Sequence, residues 1–216
     1  MPPKTRTWIE GLDNFGENLI RLGAALKGLE ESPGTVSTDE GFRSAIGRLA
    51  SSFGLAFRQA HPVLAVGEAT FLALVPSDAT GSLPNLAGRE DPQQAHTLVH
   101  EAILGSRGTV ILLDRIARAA QANPAATRQV VQPSLQALAE TTTGVGWELR
   151  AVCHEFRSEV DIVGKSLMTI KDLGPGLRGL VHDMASAARQ LRAARRGWFI
   201  VDQRLAASTG VQATGP

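Results

Sequence analysis

The sequence predicts an all-α protein, an elongated antiparallel bundle of long helices. Apolar residues recur at alternating spacings of three and four along most of the chain, which is the period of an α-helix. No segment keeps up the strict alternation of a β-strand, and Pro- or Gly-rich breaks are few. Helices joined by short connections usually pack as antiparallel neighbours, so we expect these helices to form one domain over residues 1–207. We expect a disordered tail at 208–216.

Two long apolar seams predict the first two helices. The first seam consists of Trp8, Leu12, Phe15, Leu19, Leu22, Leu26 and Leu29. Pro33 and Gly34 should end that helix. The second seam consists of Phe42, Ile46, Leu49, Phe53, Ala56, Ala60 and Val63. Its helix should continue past a kink at Pro62 to Pro76. Residues 77–91 are rich in Gly, Pro, Ser and Asp, and we expect a flexible loop there.

Three further helices follow that loop. Asp91 and Asn123 are each followed by a proline, which is the pattern of a helix N-cap, so they should start the third and fourth helices. The fourth helix is very long, and Pro133 and the Gly-Val-Gly at 144–146 are its expected bends. A turn at 173–176 should lead into the last helix.

Composition narrows the possible functions. The formal net charge is +1, so the chain as a whole does not attract nucleic acid, and we expect no nucleic-acid partner. The single cysteine, Cys153, excludes an intramolecular disulfide framework and suits a reducing compartment. The most apolar run, residues 63–75, is shorter than the roughly 20 residues that span a bilayer. The single cysteine and the lack of an apolar signal-peptide region in MPPKTRTW predict a cytoplasmic protein. Since no catalytic signature is present, we expect no enzymatic activity and no cofactor.

A histidine pair raises the question of a metal site. His96 and His100 are four residues apart on the third helix, a spacing that can present two ring nitrogens to one metal ion. On a helical wheel both histidines lie away from the apolar stripe and share their face with Arg107 and Arg118, whose charges would repel a cation. A solvated polar face is therefore favoured over a metal-binding helical bundle.

Basic stripes run beside the apolar stripes of the last two helices. On the fourth helix, one side of the apolar stripe carries Arg128, Arg150, His154, Arg157 and Lys165. On the last helix, residues displaced in the same rotational sense are Arg178, His182, Arg189, Arg192 and Arg196. Two antiparallel helices that face each other would place both stripes on one long basic face. The cluster RGWFIV at 196–201 is open to two interpretations, insertion at a membrane interface or packing of the last helix.

The order of helices and breaks resembles the BAR-domain superfamily. Residues 15–32 are similar to the first BAR helix, and residues 42–76 are similar to the next stretch, which ends at a proline. Residues 112–142 resemble the tip between the second and third long helices, and residues 149–170 resemble the returning helix. The resemblance implies a crescent-shaped homodimer that binds anionic phospholipid membranes peripherally and scaffolds or senses their curvature.

The resemblance also implies roles for particular residues. The membrane-binding residues would be Arg107, Arg115, Arg118, Arg128, Arg150, Arg157 and Lys165. The core or dimer residues would be Trp8, Leu12, Phe15, Leu19, Phe42, Leu49 and Phe53. Because histidine in peptides has a pKa near 6.5, His96, His100 and His154 are pH-sensitive candidates that should strengthen binding between about pH 7.5 and 6. The alternative function is a structural subunit of a larger helical assembly, with protein partners and no lipid affinity.

Overall fold

A computed structural model of the chain describes residues 3–31, 38–74, 90–166 and 174–209. The helices in those ranges are α1 (Pro3–Glu31), α2 (Asp39–Leu74), α3 (Glu90–Ala122), α4 (Pro124–Ser166) and α5 (Gly174–Thr209). No strand occurs in the described ranges, which confirms the all-α prediction. Side chains are described for residues 9–30, 38–69, 93–158 and 182–208. The side chains of Trp8 and Lys165, most of the predicted loop at 77–91 and most of the predicted tail lie outside the described residues.

The five helices pack in a ring, in the order α1, α4, α5, α3 and α2, so that each contacts mainly two neighbours. The chain passes directly from α3 to α4, yet these helices share only a minor contact because α5 lies between them in the ring. Glu101 of α3 pairs with Arg192 of α5, and further along both helices Arg115 pairs with Asp202. Residue numbers rise together on the two helices, so α3 and α5 run parallel.

The apolar seams predicted from the sequence line the interior of a single chain. The members of the core set that are buried are Leu12, Phe15, Leu19, Phe42 and Leu49. Phe53 packs against them partly buried. Phe57 of α2 packs edge-on against Phe15 of α1, with ring centroids 5.6 Å apart. Each seam is thus covered by other helices of the same chain, and burial of this apolar surface is the main driving force for the fold.

Side-chain caps start two of the helices. The Asn123 side-chain oxygen accepts a hydrogen bond from the backbone N–H of Ala126 at 3.1 Å, which confirms the predicted N-cap of α4. The Thr38 hydroxyl accepts an equivalent bond from the backbone N–H of Gly41 at 3.1 Å and caps α2. These bonds satisfy backbone donors that have no partner in the first turn of a helix.

Two predicted helix starts are wrong by a few residues. Helix α3 begins at Glu90, one residue before the cap predicted at Asp91. Acidic residues in a first turn are stabilised by the helix dipole, so both carboxylates suit a start that includes them. Helix α5 begins at Gly174, inside the turn predicted at 173–176. Proline is tolerated in the first turn, where its missing N–H would have no partner, so Pro175 does not delay the helix.

Helix α4 runs unbroken through both of its predicted bends. It includes Pro133 and continues across residues 144–146 to Ser166. Val131 and Leu135, on either side of the proline, are fully buried, so their packing holds the helix across the missing backbone hydrogen bond.

The glycines of α4 do more than loosen the helix, because they allow α1 to approach closely. A Cβ atom added to Gly146 would lie 2.6 Å from the carbonyl oxygen of Gly16 and 2.9 Å from the backbone nitrogen of Ile20. At Gly23 of α1, a Cβ atom would collide with the Thr143 hydroxyl of α4. Gly146 of α4 contacts Gly16 of α1, whereas Thr143, which comes earlier in α4, contacts Gly23, which comes later in α1. The two helices therefore run antiparallel. Their backbones meet where only hydrogen fits.

Alanine substitutions in α4 should separate this close approach from helix propensity. We expect Gly146→Ala to destabilise the protein by about 1–3 kcal/mol, because the methyl group meets backbone atoms that cannot move without parting the helices. Gly144→Ala is the matched control: nothing lies within 4 Å of its added Cβ. It should be neutral or stabilise by up to about 1 kcal/mol. Urea denaturation measures both, and equal effects would contradict a tight α1–α4 contact.

Candidate functional site

The arginines of α4 face neighbouring helices rather than a free surface. Arg150 donates hydrogen bonds to Asp13 at 3.1 Å and to Glu17 at 2.5 Å, both on α1. Arg157 donates to the other oxygen of Asp13 at 3.1 Å. Arg128 pairs at 3.1 Å with Asp39, the first residue of α2. The charges of these three predicted membrane-binding residues are therefore largely balanced within the fold, and the described side chains of α4 do not form a separate basic face.

Buried ion pairs join α3 to α5. Arg115, another predicted membrane-binding residue, lies 2.5 Å from Asp202, and these side chains are only 13% and 10% exposed. Glu101 is 5% exposed and pairs with Arg192 at 2.9 Å and Arg195 at 3.4 Å. A carboxylate taken out of water in this way needs its cations, so the pairs fix the register of the two helices. Arg115 thus holds α5 against α3 and is not part of an exposed surface.

The residues that stay exposed on α3 and α5 are mainly basic or large and apolar. The exposed arginines of α3 and α5 include Arg107, Arg118, Arg189, Arg192 and Arg196. The exposed large apolar residues are Ile111, Phe199 and Ile200. We name these eight residues the α3/α5 face. Among the described side chains of the two helices no carboxylate is exposed: Glu101 and Asp202 are buried, and Asp114 and Asp183 are half-buried.

The two ion pairs between α3 and α5 show which residues of the α3/α5 face lie at the same level along the helix axes. Residues 102–114 of α3 and 193–201 of α5 both lie between the Glu101 and Arg115 pairs. Because the helices are parallel, the exposed members of the two segments share one level of the bundle. Arg107 and Ile111 are therefore at the level of Arg196, Phe199 and Ile200.

Sequence reasoning identified only part of this face. Arg107 and Arg118 were in the predicted membrane-binding set and are exposed. The sequence predicts the α5 arginines as a basic stripe, but the membrane-binding set that the resemblance implies lies on α3 and α4 and does not include them. The sequence feature that points to the α5 part of this face is the cluster RGWFIV at 196–201. In that cluster Trp198 is buried, as core packing predicts, whereas Phe199 and Ile200 point outward.

The histidine pair lies beside α2. The rings of His96 and His100 stack with centroids 6.0 Å apart. His100 Nδ1 donates a hydrogen bond to Glu68 of α2 at 2.5 Å, and His96 Nε2 lies 3.8 Å from the same carboxylate oxygen. Within the part of the chain that the structure describes, no group of three or more His, Cys, Asp or Glu side chains is arranged to hold a metal ion. The pair connects α3 to α2, while the third candidate, His154, is exposed on α4.

Cys153 is buried against α1 and is not placed for nucleophilic chemistry. Burial, together with the negative charge of Asp13, raises the pKa of its thiol to about 12, although the positive charges of Arg157 and Arg150 act in the opposite direction. Only the thiolate is a nucleophile, so at neutral pH this side chain behaves as a small apolar group.

An open groove of about 1260 Å³ lies between α1 and α2. Small residues such as Gly28, Ser44 and Gly47 line it, with Arg43 and Arg48 among its charged members. Arg43 is already paired with Glu40, and the groove is wide open to solvent. Its shape follows from the small side chains, and no buried polar group is aimed into it, so it does not indicate a ligand.

Comparison with protein-family models, with curated proteins and with solved structures finds no match to this chain. None of the described helices is both long enough and apolar enough to cross a membrane.

A double-mutant cycle should show that Arg115 acts within the fold. We expect Arg115→Met to destabilise the protein by about 3 kcal/mol, because it leaves the buried Asp202 carboxylate without its cation. The double variant Arg115→Met/Asp202→Leu should recover most of that loss, since an apolar pair of similar volume needs no desolvated charge. Thermal and urea denaturation measure the cycle. Additive losses in the double variant would show that the two side chains do not interact.

The native thiol should resist alkylation. At pH 8 we expect Cys153 to react with iodoacetamide at least about a hundredfold more slowly in the folded protein than in urea, because a pKa of about 12 leaves almost no thiolate. Mass spectrometry of timed samples measures the two rates. Equal rates would mean that the side chain is accessible in the native state.

Proposed function

We propose that this chain is a non-enzymatic helical module that binds anionic membranes peripherally through the α3/α5 face. The observation that supports the proposal is the composition of this face, in which exposed arginines surround exposed apolar residues and no described carboxylate is exposed. This is the charge and polarity pattern of surfaces that lie on anionic lipid.

The magnitudes suit reversible binding. A cation close to an anionic leaflet contributes about 1 kcal/mol, and its attraction falls off within a Debye length of about 8 Å at physiological salt. The arginines of the α3/α5 face other than Arg192, whose charge is paired with Glu101, together supply several times that amount. A net charge of +1 is compatible with this because α5 carries six arginines against two carboxylates, whereas α1 and α4 each carry one more carboxylate than they have lysines and arginines. Charge is thus separated within the molecule.

We also propose the dimer and the action on curvature that the BAR resemblance implies. The residues expected to form the dimer are covered within one chain, so a dimer would use another surface. Leu55 on the outer side of α2 is a large apolar residue available for it. Because α2 and α5 are not neighbours in the ring, a dimer through α2 would leave α5 free to meet the membrane.

A structural subunit of a larger helical assembly is the second candidate, and one observation favours it. Trp147 of α4 is 57% exposed, with the Arg150 guanidinium 5.9 Å from its ring centroid. Exposed tryptophan is costly in water and is typical of the centre of a protein interface. This function predicts oligomers in solution without affinity for lipid.

Charge reversal on the α3/α5 face tests the proposed function. We expect the wild type to co-sediment with vesicles of phosphatidylcholine and phosphatidylserine, and not with phosphatidylcholine alone. Arg189→Glu/Arg196→Glu should weaken binding at least about tenfold, because four units of charge change at the lipid surface. Raising the salt concentration should weaken wild-type binding as well.

The matched control is Arg48→Glu/Arg58→Glu, which makes the same charge change at exposed positions on α2. It should bind almost as the wild type does. Equal losses in the two variants would show that only net charge matters. A wild type that does not bind vesicles but forms oligomers by analytical ultracentrifugation would support the second candidate instead.

A further inference from the structure

We infer that Ile111, Phe199 and Ile200 insert among the lipid headgroups of an anionic bilayer, while the arginines around them bind the phosphates. This inference rests on the proposed function and adds depth to it: the α3/α5 face enters the interface between headgroups and acyl chains rather than resting on the surface charge alone.

The folded chain by itself gives these three side chains no partner surface large enough to cover them. Ile111, Phe199 and Ile200 are 43%, 41% and 49% exposed. Their chain neighbours Trp198 and Val201 are buried, so α5 turns its core side inward and leaves Phe199 and Ile200 on the outside. Single exposed apolar residues are ordinary, but three at one level of two adjacent helices form a patch.

The charges beside the patch indicate what covers it. Arg107 and Arg196 are exposed at the same level, and Arg118 lies further along α3. An arginine side chain can extend along an apolar surface and keep its guanidinium at the phosphates, while isoleucine and phenylalanine reach about 5–10 Å into the boundary with the acyl chains. An anionic bilayer offers these two layers in that order. A protein partner would have to supply an apolar pocket ringed by carboxylates.

The patch is also held in a fixed shape. The ion pair of the buried Glu101 with Arg192 and the buried pair of Arg115 with Asp202 lie on either side of it along the bundle. Neither helix can slide past the other without separating a buried carboxylate from its cation. The three apolar side chains are therefore presented together, and little ordering entropy is lost when they insert.

An environment-sensitive fluorophore at the patch tests insertion. A single cysteine is introduced as Ile200→Cys and labelled with a nitrobenzoxadiazole reagent, which leaves the buried Cys153 unlabelled. On vesicles of phosphatidylcholine and phosphatidylserine, we expect its emission to rise and shift to the blue, and to be quenched by lipids spin-labelled near the headgroup. The same label at Ser51→Cys, at an exposed site on α2, should not change.

Removing the apolar side chain gives a second readout. Phe199→Ser should weaken vesicle binding about fivefold to tenfold, in line with the apolar area it would bury in the interface. Trp147→Ser, which removes an exposed aromatic residue from α4, should leave vesicle binding unchanged. Circular dichroism verifies that both variants are folded.

The outcomes separate the two proposals. If the labelled protein co-sediments with anionic vesicles but the probe at position 200 shows no change, insertion is overturned and surface binding stands. If the unlabelled wild type does not co-sediment at all, the proposed function fails and insertion fails with it. If Phe199→Ser and Trp147→Ser weaken binding equally, the patch on α3 and α5 has no special role.

Discussion

The close approach of α1 to α4 is the contact on which the distribution of charge depends. Because Gly16 and Gly146 let the two backbones meet, Asp13 and Glu17 come within reach of Arg150. The described arginines of α4 are paired with carboxylates of α1 and α2, whereas Arg107 and Arg118 of α3 and Arg189 and Arg196 of α5 stay exposed. A side chain at either glycine would separate the helices and loosen the pairing of those charges. A steric condition on one side of the ring therefore decides the electrostatics of the other.

Sequence periodicity predicted the helices well because each helix has to bury one face whatever it packs against. The cap at Asn123 was equally predictable, since its bond to the N–H of Ala126 is local. Periodicity does not indicate which helix covers which face, so the ring order and the parallel pairing of α3 with α5 could not be predicted from it. Gly146 is an example. The sequence predicts a bend of α4 at this residue, and only its contact with Gly16 of α1 shows that it allows the two helices to approach closely.

The candidate site shows the same division between local and distant information. A helical wheel placed His96 and His100 away from the apolar stripe, and they do lie at the margin of the core. Their partner Glu68 comes from another helix and could not be read from spacing. The α4 arginines were expected to face solvent, because their carboxylate partners on α1 are more than a hundred residues away in the chain. A carboxylate partner on another helix, rather than residue type or exposure, marks an arginine as structural.

The parallel course of α3 and α5 has a mechanical consequence. Arg128 at the start of α4 pairs with Asp39 at the start of α2, so α4 begins at the end of the bundle where α1 finishes. Helix α3 therefore runs toward that end, and α5 with it. The first turn of α1 and the last turn of α5 consequently lie at opposite ends of the ring. A force that pulls these two turns apart would therefore act along the helix axes and load the helix contacts in shear. Contacts loaded in shear resist extension better than contacts that are peeled apart one after another.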